Sequence, residues 1–350
     1  MKQINVKRSS QFLALVAIVS LTACGGGGGS SSVSGSVATA TPSPSTAPSQ
    51  TATPFSTATP STAPSSTATP IASATPTPVA TINPAAVPLG DGMVSTSAQT
   101  GYVYSCATSF NGQGATTNGP WINTAAGTWS ATAKIAVQGS VSWTTTASNS
   151  MVVSGNNFVI TTNDLPNVGT TGTFPIAKSD PAYAYDQNGN SVAAQNLMFT
   201  LPMNPAVAST PSCLPNGPIG IFTDGVVMFN ALDALGRDGG AHEVFDSCNG
   251  HPAPGNQYHH HEVPACIADV PDSTGHSGLY GYAFDGFAIY GLKGTGGTAV
   301  TDASLDACHG HTHAVLFHGT TQTIYHYHLT VEYPYTCLLY TSPSPRDRQK

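Results

Sequence analysis

The order of apolar and polar positions along the chain predicts short strands separated by turns. Between residues 100 and 205 the chain is rich in threonine, valine, serine and aromatic residues, with frequent glycine, asparagine and proline. Residues 128–146 and 151–162 predict short β-strands with turns between them, because β-branched and aromatic residues favour strands. No long stretch has the 3.6-residue period of an amphipathic helix. We therefore expect an all-β fold, either a sandwich or barrel-like.

The C-terminal half contains an internal repeat. Residues 219–229 align with residues 280–290, and each segment predicts a β-hairpin with a type I′ Asp-Gly turn. The motif Asp-x-Cys-x-Gly-His at 246–251 recurs at 306–311, and Tyr-His-His-His at 258–261 recurs as Tyr-His-Tyr-His at 325–328. Three matched elements in the same order indicate two related units, about 213–266 and 274–336. We expect a pseudo-twofold axis to relate them.

These motifs carry a resemblance to a known family. The segments CNGH (248–251), YHHH (258–261), YAFDGFAIYG (282–291) and YHYH (325–328) resemble the YHYH domain family. The resemblance covers roughly residues 100–336 and is strongest from residue 213 onward. The first tetrapeptide departs from it, since His260 stands where a tyrosine would match the later copy. The resemblance implies a fold, and the function has to come from the site residues.

The N-terminus predicts export and lipidation. Residues 12–21 form an apolar stretch too short to span a bilayer comfortably, and small residues lead from it to Cys24. Three basic residues precede the stretch: Lys2, Lys7 and Arg8. We expect a signal peptide over residues 1–23 and a lipid anchor on Cys24. Because the residue after Cys24 is Gly25 and not aspartate, we expect the protein to be anchored to the outer membrane. It would face the periplasm or the cell surface.

The rest of the chain divides by composition. Residues 24–94 are rich in Gly, Ser, Thr and Pro and are expected to form a disordered stalk, since they have almost nothing apolar to bury. Residues 95–336 are long enough for a sizeable core and form the predicted YHYH-like β domain. Residues 337–350 resemble a translated sequencing adapter and are left out of the fold prediction.

Charge and cysteines narrow the possible partners. Between residues 25 and 336 the chain has sixteen acidic and four basic residues, a formal net charge of −12 against −7 for the whole chain. Such a surface repels phosphate backbones, which argues against nucleic acid as a partner. Export favours disulfides. An odd number of cysteines lies in the β domain and leaves the pairing open: Cys106, Cys213, Cys248, Cys266 and Cys308.

The histidines point to a metal site. All twelve lie between His242 and His328. Alternate residues of a strand share a face, so His259 and His261 face one way, and His326 and His328 do the same in the second copy. The neighbouring tyrosines would face the core. If the twofold axis joins the two strands, four imidazoles converge on one transition-metal ion, with copper favoured over zinc.

Further residues are candidates for supporting roles. His251 and His311 each follow a glycine in matched loops and are expected to be second-tier ligands or to orient the first ones. Asp224 and Asp285 lie at the hairpin turns and are structural or second-shell carboxylates. A weaker, exposed site is expected from three alternating histidines: His309, His311 and His313.

Three functions remain open at this point. Neither His242 nor His261 begins a complete His-Glu-x-x-His motif, and the chain has no Gly-x-Ser-x-Gly element or phosphate loop, so no catalytic residue is assigned. A histidine site without an obvious general base favours non-catalytic metal capture or sensing. The alternatives are a metal-dependent enzyme, either a hydrolase or a copper oxidoreductase, and a structural or adhesive domain with histidines in its core. No protein partner is indicated.

Overall fold

The computed structural model describes residues 82–335. The predicted signal peptide, Cys24, most of the predicted stalk and the C-terminal tail lie outside these residues. The N-terminal half contains small sheets and one 3₁₀ helix at Pro181–Ala184. Its strands are β1 Val87–Pro88, β2 Val94–Ser95, β3 Val103–Tyr104, β4 Ile122–Asn123, β5 Thr128–Trp129, β6 Asn149–Ser154, β7 Asn157–Thr162 and β8 Leu197–Pro202.

The C-terminal half contributes the main sheet. Its single α-helix within the described residues, α1, is the short Gly239–His242, and two further 3₁₀ helices lie at Thr295–Gly297 and Asp302–Ser304. Its strands are β9 Pro218–Phe222, β10 Val227–Phe229, β11 Gly250–Ala253, β12 Gln257–His260, β13 Leu279–Ala283, β14 Ala288–Tyr290, β15 Gly310–Phe317 and β16 Thr320–His328.

The eight-stranded sheet has the order β11-β12-β10-β9-β13-β14-β16-β15. Read outward from its middle, each repeat contributes the same series of strands in the same order. The central strands β9 and β13 pair antiparallel, with Ile221 opposite Tyr282. Since the repeat aligns these two residues with each other, the pseudo-twofold axis passes between them. The predicted internal repeat and the all-β class are confirmed, and the sheet is open and not a closed barrel.

Both faces of this sheet are covered by apolar residues. On one face, Phe222 and Ile289 pack with N-terminal residues such as Trp121 and Trp129 in the larger core. On the other, Ile221 and Tyr282 pack against residues of the β6-β7-β8 sheet in a second core. Neighbours along β9 therefore enter different cores, as the two-residue period of a strand requires. This layering gives the sandwich-like part of the predicted fold.

Two local predictions are wrong. Residues 128–146 form a strand only at β5, with an isolated bridge at Val141. The Ser130 hydroxyl accepts the amide of Ala133 and turns the chain at the end of β5. The Asp-Gly turns are not type I′, because only Gly225 and Gly286 have positive φ. Each hairpin instead has a three-residue loop: the Gly225 amide bonds to Phe222 oxygen, and Phe222 and Val226 close the ladder.

Two disulfides tie the described part of the chain. Cys106 bonds to Cys213, and Cys248 bonds to Cys266 within the first repeat. The second pair fixes the start of β11 to the segment that follows β12, next to the histidine-rich strands. None of the helices among residues 82–335 is long and apolar enough to cross a membrane.

Candidate metal centre

Three histidines of the first repeat converge, and we call them the first centre: His251, His259 and His261. Antiparallel pairing of β11 with β12 places His251 opposite His259. The Nε2 atom of His259 lies 3.0 Å from Nε2 of His251 and 3.0 Å from Nε2 of His261. Nitrogen ligands of a tetrahedral zinc lie about 3.3–3.4 Å apart when each is 2.0–2.1 Å from the ion. The spacing is thus close to that of a metal site.

The opposite ring nitrogens settle the tautomer of two members. Nδ1 of His259 donates to the carbonyl of Gln257 at 3.2 Å, and Nδ1 of His261 donates to that of Asn230 at 2.5 Å. A carbonyl only accepts, so both protons lie on Nδ1 in the neutral rings. The Nε2 lone pairs of His259 and His261 then face each other, which is unfavourable unless a cation or an added proton lies between them.

The second repeat forms a larger group, the second centre. Ligand nitrogens of four histidines lie within 4.8 Å of one another: His276, His313, His326 and His328. His311 joins them, since its Nε2 is 2.9 Å from Nε2 of His313. Nε2 of His276, His326 and His328 is buried and has no hydrogen-bond partner among the described residues. Buried polar atoms without a partner are costly, so these three nitrogens are suited to an ion.

The two centres share their supporting hydrogen bonds. Nδ1 of His326 donates to Ile324 and Nδ1 of His328 to Gly291, at the positions that match Gln257 and Asn230. Backbone carbonyls thus orient the rings in both repeats. Metal-binding histidines generally bond their other ring nitrogen in this way, which fixes the ring and raises its basicity.

Burial keeps these imidazoles neutral. Removal from water lowers the pKa of His326 to about 3 and that of His261 to about 4. It lowers the pKa of His311 to about 4, and there the neighbouring His313 and His276 add to the effect. The pKa values of His251, His259 and His328 fall well below the ordinary value, first through burial and then through the adjacent rings. Neutral imidazole is the form that binds metal ions.

A carboxylate lies beside the first centre. Oε2 of Glu243 is 3.3 Å from Nε2 of His261 and 3.5 Å from Nε2 of His251. The residue is 8% exposed, and this oxygen has no hydrogen-bond partner among the described residues. Glu243 is the C-cap of α1, and the carboxylate of Asp186 holds the next amide, Val244, at 3.0 Å. Burial, followed by the charges of nearby aspartates, raises the pKa of Glu243 well above its usual value.

The first centre opens into a cleft of about 1160 Å³. Its floor is formed by the three histidines and Glu243, and its walls come from segments 109–116, 186–190 and 232–235. The ring of Phe229, which also lines the cleft, stacks on His259 with centroids 3.9 Å apart. The histidines of the second centre do not line this cleft.

The expectation that His259, His261, His326 and His328 share one ion is wrong. Four strands separate β12 from β16 in the sheet, so five interstrand steps of about 4.8 Å put the pairs roughly 24 Å apart. The axis runs through the centre of the sheet, and it therefore separates the two pairs. Each pair instead gathers with histidines of its own repeat. Metal binding by these four residues remains a prediction.

The supporting residues take different places. His251 and His311 lie within the groups and are potential ligands themselves. Oδ2 of Asp224 lies 3.5 Å from Nε2 of His260, and Asp285 accepts a hydrogen bond from Tyr327 at 2.7 Å. His260 and Tyr327 point away from the centres, so both aspartates support the reverse side of the strands. Three alternating histidines were expected to form a weaker, exposed site. Of these, His311 and His313 join the second centre, whereas His309 contacts Asp302 and Thr330.

The tyrosines anchor the strands as expected. Tyr258 is fully buried and donates to both carboxylate oxygens of Asp246, at 3.0 and 2.9 Å. Tyr325 makes the matching bonds to Asp306 at 3.1 Å. The aspartate of each Asp-x-Cys-x-Gly-His motif thus holds the first tyrosine of the tetrapeptide that follows. The histidine strands are fixed from behind.

Sequence reasoning missed two residues of the centres. His276 precedes β13 in a loop, and the repeat aligns it with Pro215, so no matched histidine marked it. Glu243 lies in a segment set aside as an incomplete His-Glu-x-x-His motif. The repeat aligns Glu243 with Ala303. A carboxylate that occurs in only one of two matched loops could have marked Glu243 as a candidate site residue.

Comparison with known proteins supports the resemblance. A family model described as YHYH protein matches residues 198–304, which include most of β8, all of β9 to β14 and the whole first centre. Residues 198–304 of the chain are therefore similar to the YHYH family. No curated protein and no solved structure matches the chain.

Proposed function

We propose that this protein binds transition-metal ions at two separate histidine centres and acts in metal capture or sensing. The observation that carries the proposal is the pair His259 and His261, whose Nε2 atoms lie 3.0 Å apart while both Nδ1 atoms donate to carbonyls. Two facing lone pairs are accounted for by a shared cation. The second centre repeats the arrangement with more histidines.

Imidazole ligands favour copper or zinc. Both ions accept several neutral imidazoles, and divalent copper has the highest affinity in the series. The second centre offers five imidazoles and no carboxylate in its ligand group, a set suited to copper. The first offers three and a nearby carboxylate, a set suited to zinc with a further position open.

The proposed place of action is outside the cytoplasm. The N-terminal pattern supports a lipid anchor at Cys24, with the Ser/Thr/Pro-rich segment as a tether to the outer membrane. Two disulfides in the folded part are what an oxidising compartment favours. Metal ions are the proposed ligands, and the membrane is the proposed attachment.

Elemental analysis tests the proposal. The full chain, produced without an oligohistidine tag and purified without a nickel column, is dialysed against metal-free buffer and analysed by mass spectrometry. We expect close to two bound transition-metal ions per chain, removed by a strong chelator. A histidine outside both centres, exposed His318, provides the control, and His318→Ala should leave the metal content unchanged. Folded protein that takes up no copper or zinc would instead support the structural or adhesive alternative.

A further inference from the structure

The two centres differ in how many ligands they supply. His313 and His276 of the second centre align with Ala253 and Pro215 of the first repeat. The first centre therefore has three imidazoles where the second has five. Structural metal sites are filled by protein ligands, whereas catalytic sites use about three and leave a position open for water or substrate. By this criterion the second centre is closed and the first is open.

The open side of the first centre faces the cleft. Its three histidines and Glu243 are lining residues of the 1160 Å³ space. Oε2 of Glu243 lies within 3.5 Å of two ligand nitrogens and is buried without a hydrogen-bond partner among the described residues. A carboxylate in this place would accept a hydrogen bond from a water at the open position. The repeat supplies Ala303 at the matched place in the second centre, so this combination belongs to the first alone.

We propose that the first centre is a hydrolytic site, which cleaves a carboxylic ester of a neutral, hydroxyl-rich compound such as an acylated saccharide. This proposal rests on metal binding at the first centre as proposed above. The second centre takes no part in the hydrolysis, and metal capture or sensing rests with it.

The cleft lining indicates the substrate class. Among the described residues that line it, none is lysine or arginine, and the charged ones besides histidine are Asp186, Asp233 and Glu243. Such a lining provides no side-chain cation to hold a phosphate or sulfate ester. Carboxamide side chains are abundant and suit hydroxyl groups, while Phe110 and Phe229 offer apolar surface to a sugar ring. The side chains of Asn188, Asn190 and Asn230 bond to protein atoms, and the other carboxamides of the lining are Asn111, Gln113, Gln187 and Asn216.

The reaction balances without a redox partner. A cation at the first centre would hold Glu243 as the carboxylate. A water in the cleft then gives a proton to Glu243 while the water oxygen forms a bond to the acyl carbon. The bond from that carbon to the alcohol oxygen then breaks, and the electron pair stays on the leaving oxygen. Glu243 returns the proton to that oxygen. One water is consumed, and a carboxylic acid and an alcohol are released.

The test measures acetate release and metal content in the same samples. Zinc-loaded full chain is given 6-O-acetylglucose, whose other hydroxyl groups are free, as the neutral ester and para-nitrophenyl phosphate as the anionic one. The variants are Glu243→Gln, which keeps the shape of the side chain, and His318→Ala, which changes an exposed histidine outside both centres. We expect hydrolysis of the acetate ester, a loss of about 100-fold in kcat for Glu243→Gln with first-centre metal retained, and an unchanged rate for His318→Ala.

Other outcomes separate this proposal from the one it rests on. Metal at the first centre without acetate release, or Glu243→Gln as active as the parent, overturns the hydrolytic role and leaves metal binding intact. Faster cleavage of para-nitrophenyl phosphate overturns the substrate class. Folded protein without metal at His251, His259 and His261 overturns both proposals together.

Discussion

His259 and His261 point their Nε2 atoms at each other across 3.0 Å while both Nδ1 atoms donate to backbone carbonyls. A histidine ladder held by hydrogen bonds alone would need a proton between the two Nε2 atoms. The single N–H group of each neutral ring already donates to the carbonyl of Gln257 or Asn230. Burial lowers the pKa values of both rings and opposes a second proton. The pair is therefore arranged for a cation.

Metal should stabilise the fold markedly. An ion that binds only the folded chain, at a free concentration of 100 times its Kd, contributes about 2.7 kcal/mol per site. For a domain of this size that raises Tm by roughly 5–11 °C per site. Differential scanning calorimetry of chelated and zinc- or copper-loaded protein measures the shift. Equal Tm values with and without saturating metal would contradict a coupling between metal binding and folding.

Asp164 should make stability depend on pH. Burial raises its pKa to about 7, only partly offset by a hydrogen bond from the Val227 amide. A carboxyl with a raised folded-state pKa favours the fold when protonated, so its contribution is complete at low pH and is lost as pH rises through 7. Between pH 5 and pH 8 this lowers the free energy of unfolding by about 3 kcal/mol.

The Asp164→Asn variant isolates that contribution. Asparagine tolerates the positive φ of 60° at this position and does not ionise. Urea denaturation of the chelated parent and variant at pH 5 and pH 8 should show a smaller fall in stability for the variant. An equal fall in the free energy of unfolding of parent and variant between pH 5 and pH 8 would contradict the titration of Asp164.

Gly250 should be intolerant of a side chain. A Cβ at this position would lie 2.3 Å from the hydroxyl end of Tyr258, which Asp246 holds in place. Gly250→Ala should cost about 1–3 kcal/mol of folding stability and weaken metal binding by the adjacent His251. Gly189 is the matched control, because a Cβ there meets nothing within 4 Å. Denaturation midpoints that agree between Gly250→Ala and Gly189→Ala would contradict the tight contact.

The repeat and the faces of its strands could be predicted from sequence. Aligned hairpins place β9 beside β10 and β13 beside β14, and alternation correctly puts His259 and His261 on one side with Tyr258 on the other. The position of the symmetry axis could not be predicted. The position of the axis depends on which strand edges of the two repeats pair. Because Ile221 pairs with Tyr282 at the centre of the sheet, the histidine strands lie toward its two outer edges.

The centres themselves were only partly predictable. Ligands on matched strands repeat in the sequence and are visible there. His276 and Glu243 lie in loops, where neither a two-residue period nor the repeat assigns a direction to a side chain. The end of β5 shows the same limit, because a hydrogen bond from the Ala133 amide to the Ser130 side chain turns the chain where β-propensity predicts a longer strand.

Metal content of paired variants tests the two-centre account most directly. His259→Ala with His261→Ala should remove one of two bound ions per chain, and His326→Ala with His328→Ala should remove the other, while both proteins keep the β-rich circular dichroism of the parent. Loss of all metal from either double variant would point to a single shared ion. Unchanged metal content in both folded variants would contradict the centres altogether.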